Sequence, residues 1–194
     1  DVVEAEIEVL RQMGVEFRTN TEVGKDITIR ELRMQGYEAF YLAIGAQGGR
    51  RLGVEGEDAS GVLSGVEFLR QMNLHEALKL EGRTVVVGGG NVAIDVARTA
   101  VRAGSSEVGL YCLESEKEMP AQEEEQQEAK EEGVSLNHGW GPKRILAEDG
   151  KVKGIEFKRC TRVFDEEHRF HPQYDEADTV IVECDNILVS IGQS

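Results

Sequence analysis

One glycine-rich segment carries the clearest chemical signal in the sequence. Gly88-Gly89-Gly90-Asn91-Val92-Ala93 fits the pattern G-x-G-x-x-A, in which the first glycine allows a tight turn, the second lets a pyrophosphate approach the backbone, and the small sixth residue lets a helix pack closely on a strand. The phosphates then lie at the helix N-terminus, where unpaired N–H groups and the helix dipole favour an anion. The segment therefore predicts a dinucleotide-binding turn. Its predicted contacts are Gly88, Gly89, Gly90, Asn91 and Val92.

The elements around this turn are those that such a site requires. Residues 84–87 are a β-branched strand, residues 91–103 repeat small apolar side chains at helical spacing, and residues 107–113 form the next strand. We expect an α/β fold: a Rossmann-like parallel sheet with an antiparallel β-meander covering one face. The parallel strands are expected near residues 84, 107, 134 and 186, and the meander strands at residues 144–146, 152–164 and 179–184.

The end of the second strand is expected to discriminate between the two nicotinamide cofactors. An acidic residue there accepts hydrogen bonds from the adenosine ribose and repels a 2′-phosphate. Leu113-Glu114 occupies this position, and Lys117 is the first positive charge after it. The sequence therefore favours NAD(H) over NADP(H). Alternatively, Glu114 only begins the solvated acidic stretch of residues 114–132.

The N-terminal part predicts helices at residues 2–13, 28–34 and 65–80 and a short strand at residues 15–18. Residues 40–45 form an apolar run that predicts a buried parallel strand. The segment 37–46 aligns without gaps on residues 184–193, which suggests two related strands with the same role. We predict two domains, residues 1–80 as a partial flavin-domain segment with a connector and residues 81–194 as the nucleotide-binding domain.

Three motifs together resemble one family. Val85-Val86-Val87-Gly88-Gly89-Gly90-Asn91-Val92-Ala93-Ile94-Asp95-Val96-Ala97-Arg98, Glu118-Met119-Pro120-Ala121 and Ile191-Gly192-Gln193 are similar to segments of the glutamate synthase small-subunit family, a branch of the pyridine nucleotide–flavin oxidoreductases. The resemblance covers nearly the whole chain. It implies hydride transfer from a nicotinamide to FAD, with electrons passing onward to a partner subunit or cluster.

The resemblance also implies further site residues. Ile191 and Gly192 would lie near the nicotinamide, and Ala43, Ile44 and Gly45 would border the flavin. Leu113-Glu114 stands where NADPH-using members carry an arginine pair. The glycine-rich FAD fingerprint and the cysteine clusters of the family are missing, so we expect a piece of a longer enzyme, inactive without its other flavin-domain segments.

Composition excludes several other functions. The 37 acidic against 22 basic residues argue against nucleic acid and anionic membranes. Three distant cysteines and scattered histidines predict no metal site and a reducing, cytoplasmic location, and no side chain is expected to act as a catalytic acid or base. Two other functions stay open: a stand-alone dinucleotide-binding module without redox chemistry, and a Rossmann domain for another adenosine ligand such as a methyl donor.

Overall fold

The computed structural model describes residues 2–74 and 79–193. The chain forms two compact units, Asp1–Gly45 and Ala46–Ser194. The predicted domain boundary at 80/81 therefore differs from the division into compact units. Residues 46–80 contribute a strand and a helix to the second unit.

The first unit contains the predicted helices but not the predicted strands. Helix α1 spans Val2–Gln12, and α2 spans Ile29–Met34. Thr28 caps α2, because its Oγ accepts the Glu31 N–H at 3.2 Å while the Glu31 carboxylate accepts the Thr28 N–H at 2.8 Å.

The apolar run at residues 40–45 is not a strand, and residues 15–18 are not one either. The side chains of Tyr41, Leu42 and Ile44 are 93%, 76% and 78% exposed. A strand forms by pairing with a neighbour, and the described part of this unit offers none beyond the single bridge between Val23 and Ile27. The predicted equivalence with residues 184–193 is therefore wrong at the level of structure.

The second unit is built on a parallel sheet, as predicted, with five strands where the sequence predicted four. Its strand order is β1-β8-β2-β3-β4, and every neighbouring pair is parallel. The strands are β1 (Val62–Ser64), β2 (Arg83–Val87), β3 (Glu107–Cys112), β4 (Ser135–His138) and β8 (Asn186–Val189). The sequence did not predict β1, because three residues are too few to show a strand period.

Each face of this sheet packs a separate apolar cluster. Val86 and Leu188 point towards the helices α3 (Gly65–Leu74), α4 (Asn91–Arg102) and α5 (Glu123–Glu131). The alternate residues of the same strands, including Val85 and Ile187, pack with Ile155 and Phe157 of the antiparallel sheet. That sheet comprises β5 (Trp140–Glu148), β6 (Lys151–Phe164) and β7 (Phe170–Glu183). The predicted fold class is confirmed, with helices on one face and the meander on the other.

Helix α5 is the least apolar of these helices, and charge supports its packing. Ala129 is fully buried, while Arg98 of α4 donates to Glu128 and Glu132 at 2.6–2.8 Å. Arg102 also donates to Glu132 at 2.6 Å. Within the described ranges no helix is long and apolar enough to cross a membrane.

Candidate functional site

A cleft of about 740 Å³ lies at the carboxyl ends of β2, β3 and β8. Ligands of open α/β sheets bind at this edge, where strand order changes direction along the chain. The cleft is lined by the glycine turn, by residues 111–114, by residues 190–193, and by side chains of the antiparallel sheet that include Trp140 and Tyr174.

The first glycine of the turn is required by close packing. Gly88 has a φ of +148°, and a Cβ built on it would lie 2.3 Å from the carbonyl oxygen of Ser190. The same Cβ would lie 3.2 Å from the Cβ of Ala93. The turn after β2 therefore fits against β8 and against α4 only with glycine at position 88 and a small residue at position 93.

The third glycine has the opposite environment. Gly90 is the N-cap of α4, with a φ of −88°, and no protein atom lies within 4 Å of where its Cβ would stand. The helix begins with the N–H groups of Ala93 and Ile94 donating to the Gly90 carbonyl at 2.9 and 3.3 Å. The preceding N–H groups, of Asn91 and Val92, have no acceptor within the helix by its geometry. Open space and donors thus coincide at one helix end.

The Asn91 side chain is used for a contact that sequence reasoning missed. Its Oδ1 accepts the backbone N–H of Gln122 at 3.0 Å, and the Ala121 N–H donates to the carbonyl of Gly89 at 3.0 Å. These two bonds hold the segment that contains Pro120 as a wall of the cleft. The sequence contains both the Gly-Gly-Gly-Asn and the Met-Pro-Ala motif, and their presence in one chain was the signal from which this contact could have been predicted.

Leu113 and Glu114 both line the cleft. A carboxylate oxygen of Glu114 lies 2.7 Å from where a Cβ on Gly89 would stand, so the carboxylate is beside the turn. The Glu114 carbonyl accepts the Gly139 N–H at 2.9 Å, which attaches this strand end to the antiparallel sheet. Glu114 is therefore more than the beginning of a solvated stretch. Its contact with a cofactor stays a prediction.

The floor of the cleft is uncharged. Burial raises the pKa of the Cys112 thiol to about 12, and burial also raises the pKa of Tyr111, whose ring stacks on Phe157 with centroids 4.5 Å apart. His138, with Nδ1 3.5 Å from the Cys112 sulfur, has its pKa lowered by burial. All three shifts favour neutral forms. Tyr111 and Cys112, which line the cleft, can pack against a ligand, but neither provides a charged acid or base.

The wall beyond β8 is formed by Ile191, Gly192 and Gln193 together with a loop from residues 49–53. The Arg50 N–H donates to the Gly192 carbonyl at 3.0 Å, and Gly49 bridges Gln193. Arg50 lines the cleft and was not predicted as a site residue. No local motif marks it, because its position depends on a contact between residues more than 140 apart in sequence.

The remaining predicted site residues are not part of this cleft. Ala43, Ile44 and Gly45 belong to the first unit, and their contact with a flavin stays a prediction. Within residues 2–74 and 79–193 no group of three or more His, Cys, Asp or Glu side chains could hold a metal ion. His75 and part of the predicted helix 65–80 lie outside the described residues.

The glycine turn at the head of a helix, on a parallel sheet between helices and a meander, defines a Rossmann-type dinucleotide-binding domain. Residues 26–194 match the profile of the pyridine nucleotide-disulphide oxidoreductase family. The chain belongs to this family.

Individual relatives support this assignment. The chain is 39% identical over 201 residues to the NADP(+)-dependent formate dehydrogenase subunit beta of Moorella thermoacetica, covering 100% of this chain and 28% of that protein. It is 37% identical over 164 residues to the glutamate synthase [NADPH] small chain of Escherichia coli, covering 78% of this chain and 34% of that protein. The resemblance to the glutamate synthase small-subunit family is confirmed. The chain spans about a third or less of the length of these relatives.

Solved structures share the fold. Mycobacterium tuberculosis FprA in complex with NADPH superposes with a TM-score of 0.75 at 20% identity, covering 90% of this chain and 54% of that one. A FAD-dependent pyridine nucleotide-disulphide oxidoreductase from Desulfovibrio vulgaris gives a TM-score of 0.52 at 17% identity, covering 77% and 35%.

The predicted preference for NAD(H) is wrong. The formate dehydrogenase subunit and the glutamate synthase chain are both named for NADP(H). That preference rested on Glu114 alone. In the structure the Arg159 guanidinium stacks 3.7 Å over the ring of Trp140, which lines the cleft, while Arg159 itself lies in a neighbouring groove with Leu113.

Proposed function

We propose that this chain forms the NADP(H)-binding domain of a flavin-dependent oxidoreductase of the glutamate synthase small-subunit type. The observation that carries the proposal is the contrast between Gly88 and Gly90. Packing within the protein requires glycine at position 88, whereas no protein atom occupies the space beside Gly90. A bare backbone beside open space, at a helix N-terminus, is what a pyrophosphate needs.

The residues of this chain have distinct roles in the proposal. The backbone of Gly88, Gly89 and Gly90 and the N–H groups of Asn91 and Val92 hold the pyrophosphate. Leu113 and Glu114 contact the adenosine half, and Ile191 and Gly192 lie beside the nicotinamide half. When bound, NADPH supplies the hydride, while the apolar floor orients it and excludes water.

NADP(H) requires a positive charge near the adenosine 2′-phosphate, and Arg159 is our candidate. Its side chain is 39% exposed and is held by Asp178 at 3.1 Å and by the Trp140 ring at 3.7 Å. A guanidinium stacked on an aromatic ring has its planar face already packed, and a phosphate would take the N–H groups that Asp178 and the His138 carbonyl do not take.

A fluorescence titration tests this function. Trp140 is the single tryptophan of the chain and lines the cleft, so ligand binding changes its emission. We expect NADPH to bind more tightly than NADH, and S-adenosylmethionine not to bind. Arg159→Gln is expected to weaken NADPH binding about tenfold and to leave NADH binding unchanged. Tightest binding of S-adenosylmethionine, or no binding of either coenzyme, would refute the proposed function.

The redox partners form the second half of the proposal. The relatives are named as subunits, the Desulfovibrio neighbour is FAD-dependent, and Ala43, Ile44 and Gly45 are our predicted flavin-bordering residues. We propose that the full-length protein binds FAD and passes electrons to a partner subunit. We also propose a cytoplasmic location, which the three free, buried cysteines support. We expect NADPH to bleach the flavin absorbance of the purified full-length protein, and a full-length protein that purifies without flavin would contradict the proposal of FAD binding. We expect the full-length protein to be found in the cytoplasmic fraction of the cell.

A further inference from the structure

Five ring side chains form the wall of the cleft that faces the antiparallel sheet. Phe170, Pro172 and Tyr174 come from β7, and Trp140 and Pro142 come from β5. We call these five residues the ring wall. Phe170 is 64% exposed although it lines the cleft. A ring wall beside open space provides a flat apolar surface, and such a surface suits a planar ring of a ligand.

An irregularity in the β6–β7 ladder explains how β7 reaches the cleft. Lys158 pairs with Thr179, whereas the next residue of β6, Arg159, pairs with Asp175. The three residues of β7 between these partners are therefore left out of the pairing. Bulges bend a strand and re-aim its side chains. The part of β7 beyond the bulge, residues 170–174, supplies the ring wall, while the part before it packs on the parallel sheet.

The two largest rings of the wall that β5 and β7 share are held in place by the protein. The Lys158 ammonium lies 4.3 Å from the centre of the Tyr174 ring, and the Arg159 guanidinium lies 3.7 Å from the centre of the Trp140 ring. Gly141 is buried, and a Cβ on it would clash with the Tyr174 ring. Rings that are fixed in advance lose little conformational freedom when a ligand binds.

The ring wall lies on the adenosine side of the glycine turn. In the sheet, β3 and then β4 follow β2 on one side, and β8 lies on the other. Gly139 alone separates β4 from β5, so Trp140 stands at the end of β4. A Cβ on Gly141 would lie 3.0 Å from Cδ2 of Leu113, the residue that follows β3. The ring wall and Leu113 therefore meet on the side opposite to Gly192, which follows β8.

We propose that Tyr174 binds the adenine ring of the dinucleotide by packing against its face, and that Phe170 adds to the same apolar contact. This inference rests on the proposed function. The glycine turn and Glu114 provide polar contacts, for the phosphates and the ribose, and the ring wall provides the apolar contact that they lack. Stacking on an aromatic side chain uses the face of adenine and leaves the hydrogen-bonding edges of the base free. Tyr174 is here a specificity-determining residue for ligands that contain the base.

The test compares two ligands by calorimetric titration, which does not depend on the emission of Trp140. NADPH and adenosine 2′,5′-bisphosphate both contain adenine, but only NADPH contains the nicotinamide. Tyr174→Leu, which keeps apolar volume but not the flat ring, is expected to weaken the binding of both ligands about tenfold. Tyr174→Phe keeps the ring and is expected to bind both within about twofold of the wild type.

A second pair of variants tests the contribution of Phe170. Phe170→Ala is expected to weaken both ligands about fivefold. Ile181→Ala is the matched control, because Ile181 is also on β7 and 57% exposed but lines a different groove. It is expected to bind both ligands like the wild type. Phe170 is exposed, so Phe170→Ala carries the test even if Tyr174→Leu fails to fold.

The outcomes separate this inference from the function beneath it. If a folded Tyr174→Leu variant binds the bisphosphate as tightly as the wild type, or loses affinity for NADPH alone, the assignment to adenine is overturned while the domain's function stands. Equal binding by Phe170→Ala and Ile181→Ala would likewise overturn the role of Phe170. If the wild type binds neither ligand, the proposed function itself fails.

Discussion

Two separate alanine substitutions in the glycine turn should have different effects: Gly88→Ala should lower stability, and Gly90→Ala should lower the affinity for NADPH. At Gly88 the new Cβ would lie 2.3 Å from the Ser190 carbonyl oxygen and 2.8 Å from its carbon. Ordinary contacts are about 1 Å longer, and both partners are backbone atoms of a neighbouring strand end, so neither can rotate away. With the added strain of a φ of +148°, we expect Gly88→Ala to lower the free energy of unfolding by about 3 kcal/mol. This corresponds to a melting temperature lower by about 6–12 °C.

At Gly90 the same substitution meets no protein atom within 4 Å, and a φ of −88° is allowed for alanine. Loss of backbone freedom in the unfolded chain stabilises such a variant, while alanine is a slightly poorer N-cap than glycine. We therefore expect the free energy of unfolding of Gly90→Ala to lie within about 1 kcal/mol of the wild-type value. Its methyl group would stand where the pyrophosphate approaches, so we expect NADPH affinity to fall roughly tenfold to a hundredfold.

Circular dichroism melting and Trp140 fluorescence titration with NADPH measure the two effects on the same samples. Each variant is the control for the other, since the two positions are two residues apart and receive the same methyl group. A Gly90→Ala variant that binds NADPH as tightly as the wild type would show that the open space is not ligand space. A Gly88→Ala variant that melts like the wild type would show that the contact with Ser190 is not as tight as described.

Two further predictions concern side chains around the turn and on the helical face. Asn91→Ala removes the acceptor of the Gln122 N–H, so it should lower the free energy of unfolding by about 1 kcal/mol in melting experiments and weaken NADPH binding. Asn91→Asp keeps an acceptor and should destabilise the protein less, and equal losses of stability in the two variants would contradict the positioning role. Arg98 and Arg102 lower the pKa of Glu132 by hydrogen bonding. Because the pKa of Glu132 is lower in the folded than in the unfolded protein, this interaction stabilises the fold at pH values above the ordinary pKa of glutamate. The stabilisation is lost as the pH falls through the pKa of the folded protein. Glu132→Gln should therefore melt below the wild type at neutral pH, and the difference should shrink as the pH falls through the acidic range in which the folded protein takes up the Glu132 proton. A difference that does not change with pH would refute this coupling.

Local patterns predicted most of the nucleotide-binding half of the fold. The β-branched run of β2 and the helical spacing of small residues in α4 each depend on residues close in sequence, and both elements form as expected. The meander was also predicted, because alternation along β6 is a property of one strand. The failures were the short strand β1, which was missed, and the strands predicted at residues 15–18 and 40–45, which do not form. A three-residue strand has no period, and an apolar run becomes a strand only where a partner strand exists.

The sequence by itself determined where a dinucleotide turn would form, since glycine spacing and the strand and helix on either side of it are encoded within about twenty consecutive residues. Tertiary structure alone decided what surrounds that turn. Pro120 is brought to it by the Asn91 side chain, and Arg50 by a backbone bond to Gly192, while Trp140 and Arg159 come from the antiparallel sheet. The charge that a cleft presents to a ligand is a sum over such distant segments. The preference for NAD(H) was drawn from Glu114 alone, and relatives named for NADP(H) contradict it.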